Sequence, residues 1–276
     1  MHAAHKALWF VEANSRKSYT LEQVAGACAV SPFHLTRAFA ALTGLSLMRY
    51  VRARRLSEAA HLLAAGASDI LGLALDIGYG SHEAFTRAFR EHFGLTPEQV
   101  RAQGTCSHLS LTEPIYMSTT PTNTLAEPRI VNGKPMILAG MSERYDCQDP
   151  SAIPALWQEF GAHIGRIPGE VKGVAFGACH NFDNDGFYDY LACVELSAAR
   201  DLPAGFTVLN VPVQQYAVFT HREHIAGIRE TMSAIWGSWL PGSQYKAVEG
   251  VMLERYGPEF DPRTGMGGLE IWLPVA

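Results

Sequence analysis

The chain has 276 residues, 47% hydrophobic and 10% aromatic, with a formal net charge of −5. That is enough apolar matter for two packed domains and excludes a disordered chain. No run of about eighteen apolar residues occurs, which argues against a membrane-spanning helix, and the opening Met1-His2-Ala3-Ala4-His5-Lys6 has no long apolar leader, so a cytoplasmic protein is expected.

Charge is unevenly placed. Up to His108 there are eleven Lys/Arg against eight Asp/Glu, and beyond it eleven against nineteen. A mildly basic front on an acidic back fits a nucleic-acid-binding domain joined to a domain of another purpose. The five cysteines, Cys28, Cys106, Cys147, Cys179 and Cys193, are scattered without any Cys-x-x-Cys pair. They read as reduced thiols.

In chain order, residues 2–14 read as a helix with Leu8, Trp9 and Val11 available for burial. Thr20 and Gln23 have the spacing of a capping box for the next helix. Two stretches then share one skeleton. Ser31, Thr36-Arg37-Ala38-Phe39 and Gly44-Leu45 recur as Ser81, Thr86-Arg87-Ala88-Phe89 and Gly94-Leu95, each offset by 50 positions. Each serine is placed to cap a helix and each glycine to end it in the left-handed conformation. Leu35, Phe39 and Leu42 fall on one face of the first helix, and Phe85, Phe89 and Phe93 on one face of the second, leaving Arg37 and Arg87 off the core. Each copy follows a shorter apolar segment, which gives helix, turn, capped helix twice: two helix-turn-helix units. Residues 47–65 form a long linking helix with Val51, Leu56, Ala59, Leu62 and Leu63 inward, stopped by Gly66.

Residues 20–101 thus resemble the double helix-turn-helix DNA-binding domain of AraC/XylS transcription regulators. The resemblance rests on Ser31-Pro32-x-x-Leu35-x-Arg37-x-Phe39, Tyr50-Val51-x-x-Arg54-Arg55-Leu56, Ile77-Gly78-Tyr79-x-Ser81-x-x-x-Phe85-x-Arg87-x-Phe89 and Gly94-Leu95-Thr96-Pro97. It implies double-stranded DNA and RNA polymerase as partners. By motif position, Phe33, Thr36 and Arg37 are the base-reading candidates of the first head, and His82, Glu83 and Arg87 those of the second. Arg37 and Arg87 have the alternative of phosphate contact or helix capping, and Phe33 that of core packing. Arg52, Arg54 and Arg55 are candidates for phosphate contact, with ion pairing inside the domain open for Arg54 and Arg55.

Residues 107–127, rich in Thr, Ser and Pro, read as a linker between an all-α domain over 1–106 and a second domain over 128–276. The second domain reads as α+β. Residues 129–145 form a strand or hairpin, 152–164 a helix, and 171–179 and 188–196 strands about an Asp183-to-Gly186 turn. Then 206–221 give strands broken at Pro212, 226–240 a helix, and 251–256 and 269–275 strands. Strand, helix, strand, strand occurs twice, a pseudo-two-fold repeat.

This half resembles the GyrI-like effector-binding domain. The residues that carry the resemblance include Ile153-Pro154-x-Leu156-Trp157, Tyr188-x-Tyr190, Ile235-Trp236-x-x-Trp239, Glu254-Arg255-Tyr256 and Glu270-Ile271-Trp272-Leu273-Pro274. The family implies a small-molecule effector. Tyr145, Trp157, Tyr190, Trp236, Trp239, Tyr256 and Trp272, with Tyr188, are candidate walls for a flat or greasy cation, with core packing as the alternative for each ring. Glu270 is the first choice for the carboxylate because it shares a strand face with Trp272, and Glu254 is the second.

His180, Cys179 and Cys193 lie close in sequence without a second ligand pair, so no metal is expected. No phosphate loop, nucleophile elbow or zinc helix is present, so neither a cofactor nor a catalytic residue is assigned. Hydrolysis by a pocket glutamate, sequestration of a compound without sensing, and alkyl repair at Cys106 are the other readings of this domain; the last lacks its surrounding motif. The expected function is a DNA-binding transcription regulator that senses a small, cationic or amphipathic aromatic molecule. Oligomeric state is not legible.

Overall fold

The computed structural model describes residues 2–15, 17–115, 125–198 and 201–276; residues 116–124 of the expected linker lie outside that set. The chain divides into two compact units, Met1–Leu35 with Leu45–Thr119, and Thr36–Gly44 with Thr120–Ala276. No helix among the described residues is long and apolar enough to cross a membrane.

The sequence repeat is a structural repeat. Helices α1 (Ala3–Ala13) and α2 (Leu21–Cys28) precede α3 (Pro32–Thr43); α4 (Leu47–Ala64) leads to α5 (Ile70–Asp76), α6 (His82–Phe93) and α7 (Pro97–Gln103). Ser31 Oγ accepts from the His34 amide and Ser81 Oγ from the Ala84 amide, both at 3.1 Å. The helices they start end at Gly44 and Gly94 with φ of 71° and 74°, where a side chain would be strained. Thr20 and Gln23 form the expected capping box.

Phe85 and Phe89 on α6 are fully buried with Leu56, Leu63, Ile77 and Val100, each ring contributing about 1.5–3 kcal/mol by leaving water. Trp9 departs from expectation. It is 73% exposed, while Ala4, Ala7, Leu8 and Val11 form the buried stripe of α1.

α1 is tied to α4 by polar side chains. Arg54 donates to Glu12 from Nε, shared between both carboxylate oxygens, and from Nη2, and to the Thr112 carbonyl from Nη1, and the Tyr50 hydroxyl donates to Glu12 at 2.6 Å. Burial opposes ionisation of Glu12, but hydrogen bonds from Arg54 and Tyr50 prevail and hold its carboxyl below the usual range. Burial and the bond to Glu12 push the Tyr50 phenol up to about 12. Arg55 donates to the Ser15 and Lys17 carbonyls and lies over the Tyr19 ring.

Among the described residues, the second unit holds eight strands in one antiparallel sheet. They are β1 (Arg129–Gly133), β2 (Met136–Asp146), β3 (Ala175–His180), β4 (Phe187–Leu196), β5 (Thr207–Val211), β6 (Gln214–His221), β7 (Met252–Tyr256) and β8 (Leu269–Pro274). The order β1-β6-β8-β7-β3-β4-β2-β5 is symmetric about the β7–β3 pair. One repeat is β2, α8 (Ile153–Gly161), β3 and β4; the other is β6, α9 (Ile228–Ala234), β7 and β8. α9 runs on into a π-helical stretch, Ile235–Trp239. β1 and β2 do not form a hairpin: each short leading strand pairs with the other repeat, β1 with β6 and β5 with β2. β3 begins at Ala175, later than expected, because Gly173 turns the chain at φ 90°. Asp183 holds the β3–β4 turn by accepting from the Asp185 and Phe187 amides.

Candidate functional site

Alternation along the central strands sorts their side chains onto two faces. On β7, Met252, Glu254 and Tyr256 share one face and Leu253 and Arg255 the other. Cross-strand pairing brings Glu254 opposite Gly177 of β3, and Cys179 of β3 opposite Tyr190 of β4. The first face therefore gathers Tyr145, Cys179, Tyr188, Tyr190 and Met252 in one buried cluster, with Trp157 of α8 packed against it.

Glu254 is the centre of that cluster. Tyr190 and Tyr256 each donate a phenolic hydrogen bond of 2.8 Å to its Oε2, and the Trp157 indole donates to Tyr190 Oη at 2.9 Å. Two donors converge on one oxygen. Oε1 accepts no hydrogen bond among the described residues. The Trp157 and Tyr256 rings meet edge to face at 4.9 Å, and Tyr145 stands edge-on to Tyr190 at 6.2 Å. Burial pushes the Glu254 carboxyl above its usual range against the pull of the two phenols. Burial first, and the adjacent carboxylate second, hold the Tyr190 and Tyr256 phenols far above theirs, so both stay protonated donors.

Gly177 makes this approach possible. A Cβ there would lie 2.1 Å from Tyr190 Oη and 2.9 Å from Glu254 Oε2.

Glu270 is elsewhere. It faces the other side of the sheet with Trp272, which donates to it at 3.1 Å, and it pairs with Arg129 and with Arg255 at 3.4 Å. The Glu270 carboxylate is therefore bracketed by two guanidiniums, whereas among the described residues no cation pairs with Glu254. Trp272 goes with Glu270, into a cluster with Leu253 and, edge to face at 5.5 Å, Tyr216. Trp239 is also apart. It meets Phe219 at 4.9 Å and stacks along Tyr245 on a separate groove of 510 Å³ lined by Glu127 and Ile130.

Tyr145, Trp157, Tyr190, Tyr256 and Glu254 are thus brought together. Phe182, missed in the sequence, stacks on Tyr188 at 5.1 Å and 18°. The Arg37 guanidinium, which α3 contributes to the second unit along with the rest of Thr36–Gly44, lies 3.6 Å over Phe182 and 5.9 Å from the Trp236 ring. Met252 is legible from its place two residues before Glu254; Gly177 and Phe182 carry no local signal. Cys179 and Cys193 fall on opposite faces, and so do not share a ligand. His221 is buried with both ring nitrogens engaged, at Thr231 Oγ1 and the His224 carbonyl.

In the first unit, Glu83 and Arg87 are exposed on α6 opposite buried Phe85 and Phe89. His82 pairs with Glu98 at 3.0 Å. Thr36 is 9% exposed and Phe33 half-buried. Arg54 and Arg55 hold α4 to Glu12 and to the Ser15 and Lys17 carbonyls. Nε, Nη1 and Nη2 of Arg54 and Nε and Nη2 of Arg55 thus donate inside the unit, in line with the internal role left open for both. Arg52 is exposed.

Residues 126–276 match the GyrI-like small molecule binding domain. The chain belongs to the GyrI-like family. Residues 24–103 match a helix-turn-helix domain. The GyrI-like chain is 27% identical over 269 residues to the Right origin-binding protein of Escherichia coli strain K12, spanning 94% of this chain and 91% of that one. It is 26% identical over 267 residues to the transcriptional regulator Rob of Salmonella typhimurium, with the same shares. Over 97 residues, 35% of this chain and 76% of the other, it is 35% identical to the multiple antibiotic resistance protein MarA of that organism. A DNA-binding helix-turn-helix domain and a GyrI-like small-molecule domain in one chain make a transcription regulator with an effector-binding half.

Proposed function

We propose that this regulator senses an aromatic or lipophilic cation, held by Glu254 within the rings of Tyr145, Trp157, Tyr188, Tyr190 and Tyr256. The observation that supports it is the one-sided hydrogen bonding of Glu254: Oε2 takes two phenols and Oε1 none. Glu254 is part-buried, and its free oxygen leaves the carboxylate able to pair with a cation, to which ring faces add about 0.5–2 kcal/mol once it is desolvated. In this reading residues 1–106 read DNA through Glu83 and Arg87, 107–127 join the halves, and 128–276 sense the effector and bias RNA polymerase recruitment. Glu254 serves binding, and no turnover is assigned to it.

Thermal unfolding of the full chain tests the proposal. A cationic aromatic compound at about 100 times its Kd should stabilise the protein by about 2.7 kcal/mol, its neutral isostere should not, and Glu254→Gln should abolish the shift. Equal stabilisation by cation and neutral isostere would refute the charge-based site.

A further inference from the structure

The two halves of the sheet unit differ at one corresponding place. The β3–β7 pair lies on the pseudo-two-fold, and counting outward by register puts Ala139 of β2 where Ala217 lies in β6, and so Val208 of β5 where Ile130 lies in β1. Pro128 and Phe206, each the residue before its edge strand, are then counterparts. On the helices, Leu156-Trp157-x-x-Phe160 answers to Ile235-Trp236-x-x-Trp239, and three residues further on His163 answers to Gly242. On the α8 side the Phe206 ring fills the space between edge strand and helix, 6.0 Å from Phe160 and edge to face with His163 at 5.2 Å. On the α9 side Pro128 brings no ring and Gly242 no side chain. The corresponding space is the 510 Å³ groove, and all four counterparts, Pro128, Ile130, Trp239 and Gly242, line it.

We infer that this groove is a second small-molecule site, for an aromatic amine whose ring takes the place of the Phe206 ring and whose ammonium faces Glu127. The volume is that of a small-molecule site, about 300–1,000 Å³. Trp239 closes a π-helical stretch, Ile235–Trp239, where α8 is plain α-helix, and such irregularities recur at functional sites. Tyr245 stacks along Trp239 at 6.1 Å and 15° and stands as a wall of the groove, with Ile130 39% exposed on the edge strand. These walls suit an arene, as Phe160 suits Phe206. Glu127 is the one charged residue of the described lining and is exposed, so it favours a cation with the modest strength of a surface pair and disfavours an anion. Trp239 packs with Phe219 and Tyr245, apart from the rings about Glu254, so the groove stands independently of the proposed cation site there.

The test follows the indole N–H signal of Trp239 by NMR in the full chain, assigned with Trp239→Phe, during titration with phenethylammonium, 2-phenylethanol and 3-phenylpropionate. The amine should shift the signal saturably, the alcohol should bind about threefold more weakly, and the acid more weakly still. Pro128→Phe supplies the missing ring from the chain itself and should abolish the response without lowering the unfolding temperature. Ile130→Trp fills the groove from the exposed edge strand and should do the same, which decides the matter if Pro128→Phe folds poorly. Glu127→Gln should bring amine and alcohol to equal affinity, and Glu254→Gln should leave the Trp239 titration unchanged. A Trp239 signal that does not respond in the wild type, or that responds as fully in the filled variants, overturns the site. Equal binding of amine and alcohol by the wild type overturns the amine assignment, and loss of the response in Glu254→Gln overturns the groove in favour of the Glu254 site.

Discussion

Tyr190 and Glu254 are joined by a 2.8 Å hydrogen bond that crosses directly above Gly177, which stands opposite Glu254 in the β3–β7 register. The bond exists because Gly177 has no side chain; a methyl there would meet the Tyr190 hydroxyl at 2.1 Å. Gly177→Ala should therefore push Tyr190 off Glu254, destabilise the protein by about 1–3 kcal/mol through overpacking, and weaken cation binding more than tenfold. Chemical denaturation and calorimetry on the same variant check both parts.

Glu254 should lower stability at neutral pH. Its folded-state pKa is raised by burial, so the folded state binds a proton more readily than the unfolded chain. That favourable contribution is complete below about pH 4.5, the ordinary glutamate value, and is lost as pH rises through the raised value. Glu254→Gln should remove this loss and raise stability by about 1 kcal/mol at pH 7, roughly 2–4 °C in Tm for a chain of this size. A stability-versus-pH curve for the two proteins should converge in acid and separate toward neutrality.

The Glu12–Arg54–Tyr50 cluster has the opposite sign. Hydrogen bonds from Arg54 and Tyr50 hold the Glu12 carboxyl below its usual range against burial. Its contribution is present above about pH 4.5 and disappears as pH falls through the lowered value. Arg54→Ala should cost the helical half about 2 kcal/mol at pH 7, since it leaves a partly buried carboxylate short of donors, and the difference should shrink on acidification. Urea unfolding at neutral and at acid pH measures it.

Arginines of α4 and α6 should divide by role. Arg87→Ala should relax specificity at one base position at a cost of about 1–3 kcal/mol, and Arg52→Ala should weaken binding evenly across sequences with a shallower salt dependence. Arg54→Ala should change binding only through stability. Affinity for matched and altered DNA sites over a salt series distinguishes the three.

What was legible in the sequence was local. The serine caps, the helix-ending glycines and the 50-residue repeat obey rules set within a turn of helix, so the helix-turn-helix pair could be read directly. The face partition on β8 was legible too, since Glu270 and Trp272 do share a side. Glu254 with Tyr256 and Glu270 with Trp272 present the same acid–x–aromatic pattern, and what separates them is non-local. Glu270 stands across from Arg255, which pairs with it, while Glu254 stands across from a glycine. Register between distant strands decides which carboxylate is neutralised. Phe182 and Arg37 were missed in their present role for the same reason, as neither lies in a patterned strand. Trp9 was misplaced because α1 buries small residues, Ala4 and Ala7, where a ring was expected.

On the proposed reading Glu254, and not Glu270, holds the effector's charge. Titration of benzamidinium into wild type, Glu254→Gln and Glu270→Gln tests it most directly. Affinity should fall at least tenfold in Glu254→Gln and stay at the wild-type value in Glu270→Gln. Retained binding in Glu254→Gln with loss in Glu270→Gln would contradict it, and would move the effector to the opposite face of the sheet.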